Sequence, residues 1–162
     1  LEDGRVVDES LDVMLHALEG NDPEGWLNPE EGTRDEMLDL IAACDGPFKH
    51  HLDRYKYASR YEEEGAVSED HRKAGSAFLE TLDARLATRD QLFGTRVSLA
   101  DMAVMPFIRQ FANTDRDWFD ASPYPNLKEW LAAHLASPRF KSVMPKFEQW
   151  KTGDTEPVFP SA

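Results

Sequence analysis

Four residues of the sequence share a spacing at which they can act together. His50, Arg54, Tyr57 and Tyr61 stand at i, i+4, i+7 and i+11, which puts an imidazole, a guanidinium and two phenols on one face of a helix that persists that far. Such a face suits a partner bearing a carbonyl or carboxylate. The alternative is a surface turned to solvent or to a second subunit, and spacing alone does not choose between them. Phe48, Leu52 and Tyr55 take a different, more apolar face. His50 and His51 are adjacent and so point in different directions on a helix, and the sequence holds neither an HExxH pattern nor a Cys/His cluster. No metal is expected.

Two other stretches place polar residues at helix starts. In Val97-Ser98-Leu99-Ala100-Asp101-Met102, Ser98 can accept from the Asp101 amide, the Asp101 carboxylate can return to the Ser98 amide, and Val97 can pack on Met102. This is a capping box with a hydrophobic staple, a structural device that opens many unrelated helices. Asp8-Glu9-Ser10 likewise stands before Leu11, Val13, Met14, Leu15 and Leu18, and read alone it only caps a helix. The lone Cys44 excludes an internal disulfide. Trp26, Trp118, Trp130 and Trp150 have no basic stripe beside them and read as packing residues.

The elements that must hold these residues are helical almost throughout. The start at Ser10 leads to an apolar face ending at Gly20, and Thr33 with Glu36 makes a capping box for Met37, Leu38, Leu40 and Ile41. Asp45-Gly46-Pro47 is expected to break that helix and start another, running to about Tyr57. A helix follows from Ser68 to about Thr88 with Phe78, Leu79, Leu82 and Leu86 at helical spacing. Ser98 to about Asn113 is the most apolar, with a kink expected at Pro106, and residues 125–136 form the last long helix. Glu62-Glu63-Glu64 reads as a solvated loop. The tail from Lys151, with Pro157 and Pro160, reads as an extended surface segment. Only Asp3-Gly4, a hairpin turn with Val6-Val7 as its second arm, signals sheet.

Composition bounds the setting. At 162 residues with 41% hydrophobic content the chain can bury one substantial core. A formal charge of -13 repels phosphate backbones and anionic membranes, so neither nucleic acid nor membrane is an expected partner. No apolar run is long enough for a transmembrane helix or signal peptide, and a reducing cytoplasm is the expected compartment. The fold class is all-α, with one β stub whose backbone groups need a ladder partner.

Taken in order, DGRVVDES, VSLADMAVMPFIRQF and YPNLKEWLAAHLASPRF resemble the glutathione S-transferase family. The first is similar to its strand-turn-strand leading into a helix that opens with Glu-Ser. The second is similar to its buried Ser-x-x-Asp helix with a downstream proline, and the third to its Pro-x-Leu, Trp, Ser-Pro-x-Phe stretch. The resemblance implies that residues 1–20 are the last hairpin arm and helix of a thioredoxin-like domain, residues 21–32 a linker, and residues 33–162 the all-helical C-terminal domain. It implies glutathione as co-substrate and a homodimer, with the helix near Thr33 contributing to the contact. The thiol-activating Tyr, Ser or Cys would lie upstream of Leu1, so no catalytic residue is expected within the chain, and Cys44 is not that residue.

Through the same resemblance, Ser10 would donate to the γ-glutamyl carboxylate while Glu9 attracts the neighbouring ammonium. His50, Arg54 and Tyr57 would help wall the electrophile pocket. Two functions from different classes follow. One is a glutathione-dependent enzyme that transfers a thiol to an electrophile, or reduces a peroxide or disulfide. The other is a transferase-like helical domain acting as a non-catalytic interaction or assembly module.

Overall fold

A glycine after the last apolar position, a capping box and a proline at a first helical turn each set a helix boundary. The computed structural model describes Leu1, residues 4–65 and residues 67–156. Within it α1 (Ser10–Gly20) begins after an extended Glu9, and α2 (Arg34–Ala43) begins at the expected box. There the Glu36 amide donates to Thr33 Oγ1 at 3.1 Å and the Thr33 amide to Glu36 Oε2 at 2.7 Å. α3 (Lys49–Lys56), α4 (Ser68–Leu86), α5 (Leu99–Thr114), α6 (Arg116–Ala121), α7 (Pro125–Ala136) and α8 (Pro138–Val143) complete the set.

Asp45-Gly46-Pro47 does not break the helix. Cys44–Phe48 forms one π-helical stretch that carries α2 directly into α3, with Ala43, Cys44, Phe48 and Lys49 all in right-handed helical conformation and the Lys49 amide bonded back to the Cys44 carbonyl. In an α-helix a proline removes one hydrogen bond and crowds the carbonyl four residues earlier; a wider turn with bonds spanning five residues relieves both. Cys44 and Phe48, at the two ends of this turn, both stay buried. The helix then stops at Lys56, where Tyr57 takes φ -121 and ψ 41. Tyr61 therefore lies between two short 3₁₀ turns, Ala58–Arg60 and Glu62–Glu64, and is not on the helix that carries His50.

α5 is the centre of the bundle, packed by α2, α3, α6 and α7, while α4 lies across α3 and α7. Leu99, Val104, Ile108 and Phe111 of α5 meet Met37, Leu52, Leu79, Leu82 and Leu127 in one continuous apolar core. Pro106 lies on the exposed side of α5, which runs on uninterrupted to Thr114. Gly75 is what lets α4 come this close: a Cβ there would stand 2.8 Å from the Phe111 ring. α7 has no capping side chain of its own at Tyr124. Instead Asp83 of α4 accepts from the Leu127 amide at 2.9 Å and the Asn126 amide group at 3.2 Å.

α1 buries none of its residues completely and rests Leu11, Met14, Leu15 and Leu18 against the core edge. Val6 and Val7 belong to no strand, and Val6 is exposed. Asp3 of the predicted hairpin turn, and Pro157 and Pro160 of the predicted extended tail, lie outside the described residues. Of the four tryptophans Trp130 is buried and Trp26 and Trp118 pack partly, but Trp150 is exposed and does not pack. No helix among the described residues is long and apolar enough to cross a membrane.

Candidate functional site

The predicted face of α3 brings His50 and Arg54 together and sends Tyr57 elsewhere. Arg54 Nη1 lies 3.1 Å from His50 Nδ1, Nε and Nη2 donate to Glu64 Oε2 at 3.1 and 2.6 Å, and the guanidinium lies 4.4 Å from the centre of the Tyr61 ring. Tyr61 thus joins the group through the turn rather than through helical spacing. Glu64, read as part of a solvated run, is the counter-ion of Arg54. The Tyr57 ring meets the cations of Lys56 and Arg60 at 4.7 and 4.3 Å.

His50 and His51 do not diverge. Their rings stand 5.0 Å apart, edge to face, and both approach the ring of His71 on α4, at 5.9 and 5.2 Å. Successive helix positions are rotated by about 100°, yet these two bracket the seam against α4, so both rings lean into it. His51 Nδ1 and His71 Nδ1 are 2.9 Å apart. Burial, then the adjacent imidazoles of His50 and His71, hold His51 below the ordinary histidine range. Burial with His50 and Arg54 does the same to His71, against the opposing pull of Asp70 and Glu64.

Glu9 and Ser10 stand exposed at the opening of α1, and neither side chain caps the helix. Both side chains are exposed, and the first amides of an α-helix have no acceptor within the helix itself.

The Ser98–Asp101 box is present. Asp101 is 0% exposed. One carboxylate oxygen accepts from the Ser98 amide and hydroxyl at 2.8 and 2.7 Å, the other from the Leu92 amide at 2.9 Å and Trp130 Nε1 at 3.0 Å. One side chain thereby ties the loop before α5, the start of α5 and the middle of α7.

The cavities lie apart from the predicted face. A groove of about 320 Å³ between α5 and α8 is lined by Met102, Met105, Pro106, Phe140, Val143 and Met144, with Arg109 and His134 among its polar groups. A more polar cavity of about 380 Å³ holds Lys56, Gln110, Asn113 and Thr114, and Arg109 reaches it too. Neither includes His50, Arg54 or Tyr57. The recurrence of Met102, Met105 or Pro106, and Arg109 along one side of α5 was available as a signal, but an apolar helix in a small bundle reads as core on every side.

The family model described as "Glutathione S-transferase, C-terminal domain" matches residues 49–133, from α3 into α7 and just over half of the chain. Among solved structures, a glutathione transferase family member from Pseudomonas fluorescens, with two glutathione bound, is 23% identical with a TM-score of 0.62, covering 78% of this chain. The chain spans 56% of that protein's length. A class Gtt2 glutathione S-transferase of Vibrio parahaemolyticus is 20% identical with a TM-score of 0.69, over 88% of this chain and 68% of that one. A glutathione transferase from Burkholderia graminis, with two glutathione molecules bound per subunit, is 22% identical with a TM-score of 0.65, over 82% and 57%. At these identities the structures speak for the fold, while the family match covers the helices at its centre, and on that match the chain belongs to the glutathione S-transferase family through its C-terminal domain.

Proposed function

We propose that this chain works in a glutathione-dependent enzyme that transfers the glutathione thiol to an electrophile, or uses it to reduce a peroxide or disulfide. In this reading residues 1–20 close a thioredoxin-like domain that supplies the activated thiolate. Ser10 and the amides of the first turn of α1 receive the γ-glutamyl carboxylate, and Glu9 holds the ammonium beside it. The observation that carries the reading is that Glu9, at the N-cap of α1, makes no side-chain cap bond, and that Glu9 and Ser10 are both exposed. The glutathione bound by the Pseudomonas fluorescens and Burkholderia graminis proteins supports it. His50, Arg54 and Tyr57 contribute to the electrophile side, where an acceptor carboxylate would compete with Glu64 for Arg54. A cytoplasmic, detoxifying homodimer joined partly through α2 completes the proposal, and sedimentation giving only monomer at micromolar concentration would remove the dimer from it.

Calorimetric titration of glutathione into the protein carrying its thioredoxin-like domain tests the site. Ser10→Ala loses a hydrogen bond to a charged group and should weaken binding by about 1.5–3 kcal/mol, with Glu9→Gln acting in the same direction. Ser122 is a poor neutral control, since it is buried and its hydroxyl donates to the Phe119 carbonyl at 2.6 Å. Exposed Ser59 serves instead. Equal affinities for wild type and Ser10→Ala would reduce Glu9 and Ser10 to a helix start.

A further inference from the structure

We propose that His50, His51 and His71 form a binding site for a divalent transition metal ion, bridging α3 to α4. Each histidine offers one ring nitrogen, and the three nitrogens lie within 4.8 Å of one another. Two come from one helix and one from the next, which is how helical proteins assemble ligands that are distant in sequence. His50 is exposed and the other two are half-buried, so an ion can enter from solvent while the inner pair is held by packing.

The chemistry of the inner pair favours a metal. Two neutral imidazoles that face each other through Nδ1 can bond directly only if one carries its proton there and the other does not. With the protons of both rings on Nε2, both Nδ1 lone pairs point into the same space, the arrangement that a metal ion accepts. Tetrahedral bonds of about 2.0–2.1 Å separate two ligand nitrogens by about 3.3 Å, so His51 and His71 must part by only a few tenths of an ångström from their 2.9 Å separation.

His50 completes the set by rotating toward them. Its Nδ1 faces Arg54 Nη1, but Arg54 keeps the Glu64 carboxylate and the Tyr61 ring when that contact is released. Three imidazoles suit zinc, nickel, copper or iron rather than calcium or magnesium, and a fourth position remains for water. The formal charge of -13 favours cation approach. This inference does not depend on the glutathione reading, because its readout is metal affinity in the absence of glutathione.

The test is calorimetric titration of zinc chloride into metal-free protein, with cobalt(II) absorption as a spectroscopic check of imidazole coordination. One equivalent is expected to bind, and at zinc a hundredfold above Kd the Tm should rise by roughly 5–10 °C. His51→Gln and His71→Gln should each weaken binding roughly tenfold or more, since losing even an outer partner of a ligand costs that much. His16→Gln, on exposed α1, should leave it unchanged. If an inner variant fails to fold, the exposed His50→Gln decides by the same loss. Absence of saturable zinc binding, or equal affinity in wild type and a folded variant of this trio, overturns the proposal.

Discussion

The indole Nε1 of Trp130 donates to Asp101 Oδ1 at 3.0 Å, and both residues are buried. The capping box that sequence alone shows is thus half of a larger arrangement, because the same carboxylate also receives Leu92 and Ser98. Asp101→Ala would leave the Leu92 and Ser98 amides and the Trp130 indole unpaired in the core. The expected loss is about 3–5 kcal/mol, well above the ~1 kcal/mol of an ordinary cap. Urea unfolding of the variant gives the number, and a loss under 1 kcal/mol would show that these donors find other partners.

Asp83 caps a helix to which it does not belong. Asp83→Ala should cost about 1–2 kcal/mol by freeing the Leu127 amide at the start of α7, and Asp83→Asn should recover part of it through its remaining oxygen. Amide hydrogen exchange localised to the first turn of α7 would separate this from a general loss of packing.

Cys44 should be inert. Burial, with a smaller contribution from Asp45, pushes its thiol up to about 12. At pH 8 only about one molecule in ten thousand would carry the thiolate, the form that alkylates. Reaction with a thiol reagent should therefore appear only when denaturant unfolds the protein, and rapid labelling of the native state would contradict the placement of this side chain.

His134 sets an acid limit on stability. Burial, only partly opposed by Asp101 and reinforced by Arg139, holds its folded value below the 6.5 of the free side chain. The unfolded chain therefore takes up a proton first. The contribution of neutral His134 is complete above about pH 6.5 and declines as pH falls below that value. The difference in urea midpoint between pH 7.5 and pH 5.5 should be smaller in His134→Gln than in wild type; an identical difference would exclude His134 as a source.

Legibility in the sequence followed the range of the interaction responsible. α1 ends at Gly20, α2 starts at its box and α7 starts at Pro125, all set by residues within a turn of the boundary. The short α6 and α8 were not foreseen. Each is capped by one side chain, Asp115 or Ser137, that resembles many others in loops. Reading Pro47 as a breaker assumed that only an α-helix was on offer. At the candidate site, the Glu9-Ser10 opening was visible because it is local. The meeting of His51 with His71 was not, since 20 residues separate them and only the packing of α3 on α4 joins them. Arg109 was hidden by the apolar character of its helix.

The wide turn at Cys44–Phe48 makes this protein tolerant of a particular kind of sequence change. A π turn is in effect an α-helix that has absorbed one additional residue locally, while the segments on either side keep their orientation. Removing exposed Gly46 together with Pro47→Ala, so that no proline remains inside the closed helix, should let Cys44 and the residues after it close into ordinary α-helical bonding, with Phe48, Leu52 and Tyr55 still directed into the core. Removing Asp53 instead would turn Tyr55 and all that follows on α3 by about 100°. A shortened chain lacking Gly46 and carrying Pro47→Ala should therefore fold cooperatively and one lacking Asp53 should not, a contrast that circular dichroism melting would show directly.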